Sequence, residues 1–81
     1  MWLKSAESEL ATIWLAAGRS EQVAKASYEI DRDLRVDAEK HGTPLSEGLW
    51  VIERSPLRAV FELMDEDRLV RVVSLAIVKL L

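Results

Sequence analysis

Three arginines, Arg54, Arg58 and Arg71, stand in or beside the apolar segments of the C-terminal half. A guanidinium group donates several hydrogen bonds in a planar fork, so clustered arginines bind the phosphate or carboxylate groups of a partner. If the three lie on one face of a sheet, they form a patch for phosphate or partner binding. The alternative is that they are solvated strand residues paired with Glu53 and Glu62, and the sequence leaves both interpretations open.

Three tryptophans also point to binding, because tryptophan is enriched at the energetic centres of protein interfaces. Trp14 belongs to an apolar helical stripe and is predicted to pack in the core. Trp2 and Trp50 are interpreted either as partner contacts or as core anchors. The apolar end, from Leu75 to Leu81, is likewise open between a core strand and a partner-binding edge.

No group of residues in the chain is typical of a metal or cofactor site. Cysteine is absent and His41 is the single histidine, so thiolate ligands and a common zinc site are excluded. Asp31 and Asp33 would point to different sides of a helix, and the segment 65–67 lacks the glycine and the distal glutamate of a calcium loop. We therefore expect no metal and no cofactor. His41 is interpreted as a helix C-terminal residue favoured by the helix dipole rather than as a general base.

Length and composition predict one small domain, residues 1–81. A chain of this size buries only about 60–65% of its unfolded surface, yet 49% of its residues are apolar, which favours an interface. The net charge of −3 argues against general nucleic-acid binding, which needs clustered basic residues. No segment is as long as a membrane span and the start lacks the apolar core of a signal peptide, so we expect a cytoplasmic protein without membrane contact.

Apolar spacing predicts two helices in the first half of the chain. The first covers residues 5–17, with Ser5 as N-cap and Gly18 ending it. The second begins after a Ser20 cap and ends near Lys40, and the short connection requires the two helices to form an antiparallel hairpin. Their apolar stripes are Ala6, Leu10, Ile13, Trp14 and Ala17 in the first, and Val23, Ser27, Ile30, Leu34 and Ala38 in the second.

The second half is predicted to form a three-strand meander. Residues 43–48 are predicted to be a loop because of Pro44 and the flanking glycines. Strands follow over residues 49–53, 57–63 and 69–78, with a charged turn at 65–68 between the last two. The last strand is almost continuously apolar, which predicts a central strand covered on both faces. Helices followed by this meander indicate an α+β fold.

The order and the wording of these segments resemble the RelE/ParE superfamily of type II toxin–antitoxin toxins, some of which serve in plasmid stabilisation. The resemblance extends over nearly the whole chain. It implies a two-helix hairpin packed on a small, twisted, mainly antiparallel sheet. The matching pieces are Ala6-Glu-Ser-Glu-Leu-Ala-Thr-Ile-Trp-Leu, Ile30-Asp-Arg-Asp-Leu, Gly42-Thr-Pro-Leu-Ser-Glu-Gly-Leu, Pro56-Leu-Arg-Ala-Val-Phe-Glu-Leu and Asp67-Arg-Leu-Val-Arg-Val.

The chain departs from the family pattern at both ends, and the departure at the C-terminal end bears on which of the family's two activities is expected. RelE-like members cut mRNA in the ribosomal A site, whereas ParE-like members poison DNA gyrase. Arg58 falls on the matching arginine and is the one catalytic candidate, but the end Val78-Lys-Leu-Leu lacks the basic and aromatic residues of a nuclease. The family also begins with a strand that pairs into the sheet, and here Met1-Trp-Leu-Lys-Ser resembles only its tail.

The resemblance therefore implies a ParE-like toxin, held by a cognate antitoxin and acting through protein–protein contact, with Arg54, Arg58, Arg71, Trp50 and Trp2 as candidate contact residues. One alternative is a solitary, non-catalytic family member that self-associates through an exposed sheet edge, since such an edge invites pairing. The other alternative is a RelE-like ribonuclease that acts on the ribosome.

Overall fold

Two helices precede a four-stranded antiparallel sheet in the computed structural model, which describes residues 2–16, 21–64 and 69–78. The strand order follows the chain, so each strand pairs with the next. The predicted α+β class is confirmed. The elements are α1 (Lys4–Ala16), α2 (Glu21–His41), β1 (Thr43–Ser46), β2 (Leu49–Arg54), β3 (Leu57–Met64) and β4 (Leu69–Ile77).

Helix α1 begins one residue earlier than predicted. The amide of Glu7 donates to the carbonyl of Leu3 at 3.0 Å, so Leu3 rather than Ser5 precedes the first turn. The reason is tertiary, because the Leu3 amide itself donates to the Val72 carbonyl at 2.9 Å and fixes where the chain enters the helix. The predicted caps Gly18 and Ser20 lie outside the described residues.

Helix α2 buries four of the five predicted stripe residues, Val23, Ile30, Leu34 and Ala38, whereas Ser27 is half-buried and its neighbour Ala26 lies in the core instead. It is interrupted at Asp37, whose φ of −159° and ψ of 86° are not helical. The Asp37 carboxylate accepts a hydrogen bond from the Lys40 amide at 3.3 Å and so caps a separate last turn.

Both helices pack on the same face of the sheet and run antiparallel, as predicted. α1 lies mainly against β4, and α2 lies against β2 and β3. Just before α1, the Trp2 indole donates a hydrogen bond to Asp31 in the middle of α2, and the end of α1 brings Trp14 into one groove with Val23. The core is a single cluster containing Ala6, Val23, Ala26, Ile30, Leu34, Ala38, Ile52, Leu57, Ala59, Phe61, Val72 and Leu75.

The predicted loop at residues 43–48 is wrong in its first part, since Thr43–Ser46 forms strand β1 beside β2. The local turn signals were correct only for Glu47 and Gly48, where Gly48 has a φ of 77°. Pairing with β2 outweighs the local preferences, and Pro44 is tolerated because β1 is an edge strand whose outer side needs no amide donor.

The predicted central position of the last strand is also wrong. β4 is the last strand in the sheet order, and β3 lies between β2 and β4. One side of β4 faces the helices, and the other belongs to a sheet face that no described element covers. The nearly continuous apolar run from Leu69 to Ile77 therefore leaves apolar side chains on that open face. A bulge at Val73, opposite the Val60–Phe61 step, also shifts the alternation.

The outer edge of β4 is partly covered by the N-terminal residues. Trp2 forms an isolated parallel bridge with Val72, as expected for the tail of a strand. Farther along the same edge, the Leu75 amide donates to the Glu9 carboxylate of α1 at 3.3 Å. Helix α1 and the residue before it thus satisfy backbone groups that a further strand would otherwise pair.

Candidate functional site

Strand register divides the sheet residues between a helix side and an outer face. Side chains alternate along a strand, so residues in register with a buried residue share its side. Trp50 pairs with Phe61, and Arg54 pairs with Leu57, which puts both on the helix side. The outer face includes Thr43, Ser46, Leu49, Val51, Glu53, Arg58, Val60, Glu62, Met64, Leu69, Arg71, Ser74 and Ala76.

Arg58 and Arg71 both lie on the outer face but do not form one cluster. Arg58 is exposed and stands in register between Glu53 and Ala76. Arg71 is half-buried beside Glu62, with its Nη2 3.6 Å from the Met64 sulfur. The two arginines are separated along the sheet by the row of Val60, which leaves two separate positive positions on a half-apolar face.

Arg54 does not share that face. Its Nη2 and Nε donate to Asp33 of α2 at 2.8 and 3.0 Å, and its Nη1 donates to the Glu53 carbonyl at 2.7 Å. The Arg54 side chain keeps only 30% of its surface exposed. The interpretation of three arginines on one face is therefore wrong for Arg54, which ties strand β2 to helix α2.

Asp33 is the buried charged residue among the described residues, with 7% of its surface exposed. Burial alone would raise the pKa of Asp33, but hydrogen bonds from Arg54 and Arg32 outweigh it and hold the pKa below its usual value. The positive charge of Arg54 acts in the same direction. The carboxylate is therefore ionised in the folded protein and anchors the Arg54 fork.

Trp2 and Trp50, for which the sequence left two interpretations open, are each half-buried and pack against the core. Trp50 stacks on Phe61 with ring centroids 6.4 Å apart and ring planes at 24°. The Trp2 indole donates to Asp31 at 3.1 Å. Both are core anchors with part of the ring at the surface, and whether a partner uses that part stays a prediction. Trp14, predicted to be core, is half-buried against the same cluster.

A cleft of about 370 Å³ opens where α2 passes into β1. β1 begins opposite Val51, so the β2 segment beyond it has no partner strand on that side. The cleft wraps around this free edge and brings helix-side and outer-face residues together. Its lining consists of His41, Thr43, Val51, Glu53, Arg54 and Arg58.

The charged side chains that line this cleft differ in whether they already have a partner within the chain. Arg54 is engaged with Asp33, while Arg58 has no carboxylate at ion-pair distance among the described residues. His41 places Nδ1 3.5 Å from Nη2 of Arg54. The cleft therefore offers one free arginine, one imidazole and the Glu53 carboxylate.

Sequence reasoning did not find this grouping, although it singled out His41, Arg54 and Arg58 separately. Thr43 and Glu53 were not assigned to any site. The cleft exists because β1 is shorter than β2, and residues 43–48 were predicted to be a loop. A period-two reading of residues 49–54 could have separated Glu53 from Arg54, but no local signal fixes where a neighbouring strand begins.

No group of acidic, histidine or cysteine side chains able to hold a metal ion occurs among residues 2–16, 21–64 and 69–78. Neither described helix is long and apolar enough to cross a membrane. No protein-family model matches the chain, and no curated protein matches it.

Proposed function

We propose that this chain is a ParE-like toxin component of a type II toxin–antitoxin pair, acting in the cytoplasm by protein–protein contact on an essential target such as DNA gyrase. A cognate antitoxin neutralises it by binding the same chain. The observation that carries the proposal is the outer face, where Arg58 and Arg71 stand among half-buried apolar side chains that no described element covers.

Two features support a contact surface there. Arginine is enriched at interface centres, and partly apolar sheet faces left open to solvent mark interaction sites. The family resemblance of the sequence supplies the kind of partner, and the order of two helices followed by an antiparallel sheet agrees with the fold that this resemblance implies. The Trp2 bridge to β4 is compatible with a family whose chain begins with a strand that pairs into the sheet.

Growth of a bacterial host that expresses the chain from a tightly regulated promoter tests the proposal. We expect growth inhibition, relief by co-expression of the small protein encoded beside it, and co-purification of the two. DNA supercoiling by purified gyrase should fall when the chain is added. Replacing Arg58 by Ala should weaken inhibition, because that side chain is the exposed positive charge on the outer face.

Arg35→Ala is the matched control, since it removes an exposed arginine from α2 whose surface pair with Asp31 contributes little. It should leave growth inhibition unchanged. If the neighbouring gene product neither binds the chain nor relieves inhibition, or if the chain never inhibits growth, the toxin proposal fails.

A second candidate is ribosome-dependent mRNA cleavage, favoured by the cleft that brings His41 and Glu53 beside Arg58. Attack by a ribose 2′-hydroxyl needs a group that takes its proton, a group that protonates the leaving oxygen, and positive charge at the phosphate. Glu53, His41 and Arg58 are the residue types that supply these three functions.

Mapping mRNA ends in cells that express the chain separates the two candidates. Cleavage within codons on translating ribosomes, abolished by His41→Gln and by Arg58→Ala, supports the nuclease. Intact mRNA together with lost supercoiling supports the ParE-like proposal.

A further inference from the structure

We propose that the outer face is a self-association surface, on which a second copy of this chain docks sheet against sheet about a two-fold axis. The inference goes beyond the toxin proposal and does not depend on it. What carries it is the arrangement of charge around Val60, which makes this face complementary to itself.

Arg58, Val60 and Glu62 follow one another along the outer side of β3. Place a two-fold axis midway between two facing sheets, parallel to their planes, perpendicular to the strands and level with Val60. It sets Val60 against Val60 of the second copy and Arg58 against Glu62 of the second copy. Because a two-fold contact is reciprocal, Glu62 then meets Arg58 of the second copy, and two ion pairs form.

The charges concerned are free to make these pairs. Neither Arg58 nor Glu62 has an ion-pair partner among the described residues, although Glu53 and Arg71 stand beside them in the sheet. Arg71 turns its Nη2 towards Met64, and its Nε is buried without a hydrogen-bond partner among those residues.

The centre of the face is apolar. Val51 and Val60 stand side by side in the central row, and Leu49, Met64 and Leu69 extend the apolar surface towards one end. All five are half-buried, so each retains surface that a facing sheet would remove from water. An apolar centre with charges around it is the usual organisation of a protein interface.

The size of the face predicts a reversible dimer. The four strands contain 4, 6, 8 and 9 residues. At about 3.4 Å per residue and about 4.8 Å between strands, the face presents roughly 440 Å². Two such faces bury about 900 Å² in total, which is the size of a weak, transient interface. Such a dimer competes with any other partner that binds the outer face.

Charge-reversal variants test this geometry by sedimentation over a wide range of protein concentration. The unmodified chain should change reversibly from monomer to dimer. Arg58→Glu and Glu62→Arg should each weaken dimerisation at least about tenfold, because each places like charges opposite one another. The double variant should restore it, since the exchanged charges again face opposite charges. Lys25→Glu, an exposed reversal on α2, is the matched control and should leave the dimer unchanged.

The proposal is overturned if the chain is monomeric at every concentration. It is also overturned if the dimer forms but neither single reversal weakens it, or if the double variant does not regain the dimerisation that the single variants lose. A monomer that binds the neighbouring gene product, and loses that binding in Arg58→Glu, assigns this face to that partner. Growth inhibition is measured separately, so a failed toxin proposal and a failed dimer are distinguishable.

Discussion

Arg54 and Arg58 show how two residues of one type, close in sequence, come to act differently. The two-residue turn between them, Ser55-Pro56, places Arg54 opposite Leu57 and Arg58 opposite Glu53. Arg54 therefore turns towards the helices and binds Asp33, whereas Arg58 turns to solvent. One arginine stabilises the fold, and the other is available to a partner.

Gly42 is a residue whose lack of a side chain the fold requires. A Cβ placed there would lie 2.6 Å from Cζ of Phe61, which is fully buried and cannot move aside. We expect Gly42→Ala to lower the free energy of unfolding by about 2–3 kcal/mol through overpacking. Chemical denaturation followed by tryptophan fluorescence measures it.

Gly48→Ala is the control for that substitution. Nothing lies within 4 Å of a Cβ at Gly48, but its φ of 77° strains any other residue. The expected loss is only about 1 kcal/mol. An equal loss for the two variants would contradict the role assigned to the Phe61 contact.

The Asp33–Arg54 pair predicts a particular acid sensitivity. Because the folded pKa of Asp33 is lowered, its contribution to stability is present above the unfolded pKa of about 3.9 and is lost as pH falls through the folded value. Asp33→Asn should lower the free energy of unfolding by about 2 kcal/mol at neutral pH. As the pH falls below about 4, the free energy of unfolding of this variant should decrease less than that of the unmodified chain.

Glu39→Gln removes an exposed carboxylate from the same helix and is the matched comparison. Its stability at neutral pH should equal that of the unmodified chain within about 0.5 kcal/mol. If the free energy of unfolding falls equally with decreasing pH in Asp33→Asn and in the unmodified chain, Asp33 does not titrate as inferred.

At the scale of elements, the sequence patterns located helices and strands well but could not order the sheet. The 3.6-residue stripe of α2 was visible in Val23, Ile30 and Leu34, and all three are buried. The strand β1 and the edge position of β4 were missed, because both depend on backbone pairing between segments and not on side-chain type. The cleft at His41 was missed for the same reason.

Trp2 joins the N-terminal residues to both layers, which gives a test of how the edge of β4 is held. It bridges Val72 through its backbone and Asp31 through its indole. We expect Trp2→Phe to lose about 1 kcal/mol with the hydrogen bond, and Trp2→Ala to lose about 2–3 kcal/mol with the packing as well. Denaturation midpoints give both values.

Hydrogen exchange locates the effect. The Leu3 amide, which donates to Val72, should exchange faster in Trp2→Ala than in Trp2→Phe. Unchanged protection of Leu3 in both variants would mean that the backbone bridge forms without the tryptophan.

At the scale of the whole molecule, the described chain has one covered and one open sheet face, with its core entirely on the helix side. If the open face associates, dimerisation is linked to folding, and the midpoint of thermal unfolding rises with protein concentration. We expect that rise for the unmodified chain and for the double variant Arg58→Glu/Glu62→Arg. For Arg58→Glu alone the midpoint should rise less over the same range of concentration, and an equal rise in that variant would contradict the link.

The sequence by itself determined the α+β class, the two helices, the strands from Leu49 onward and the buried positions Val23, Ile30, Leu34 and Ala38 of α2, because periodicity reports which side chains leave water. Tertiary structure decided how Arg54, Arg58 and Arg71 divide between the faces, that β1 exists, and that β4 lies at an edge. Those features follow from register and from pairing between distant segments. Nothing in the local order of residues encodes which side of a sheet the helices cover, and that choice leaves Arg58 free and Arg54 bound.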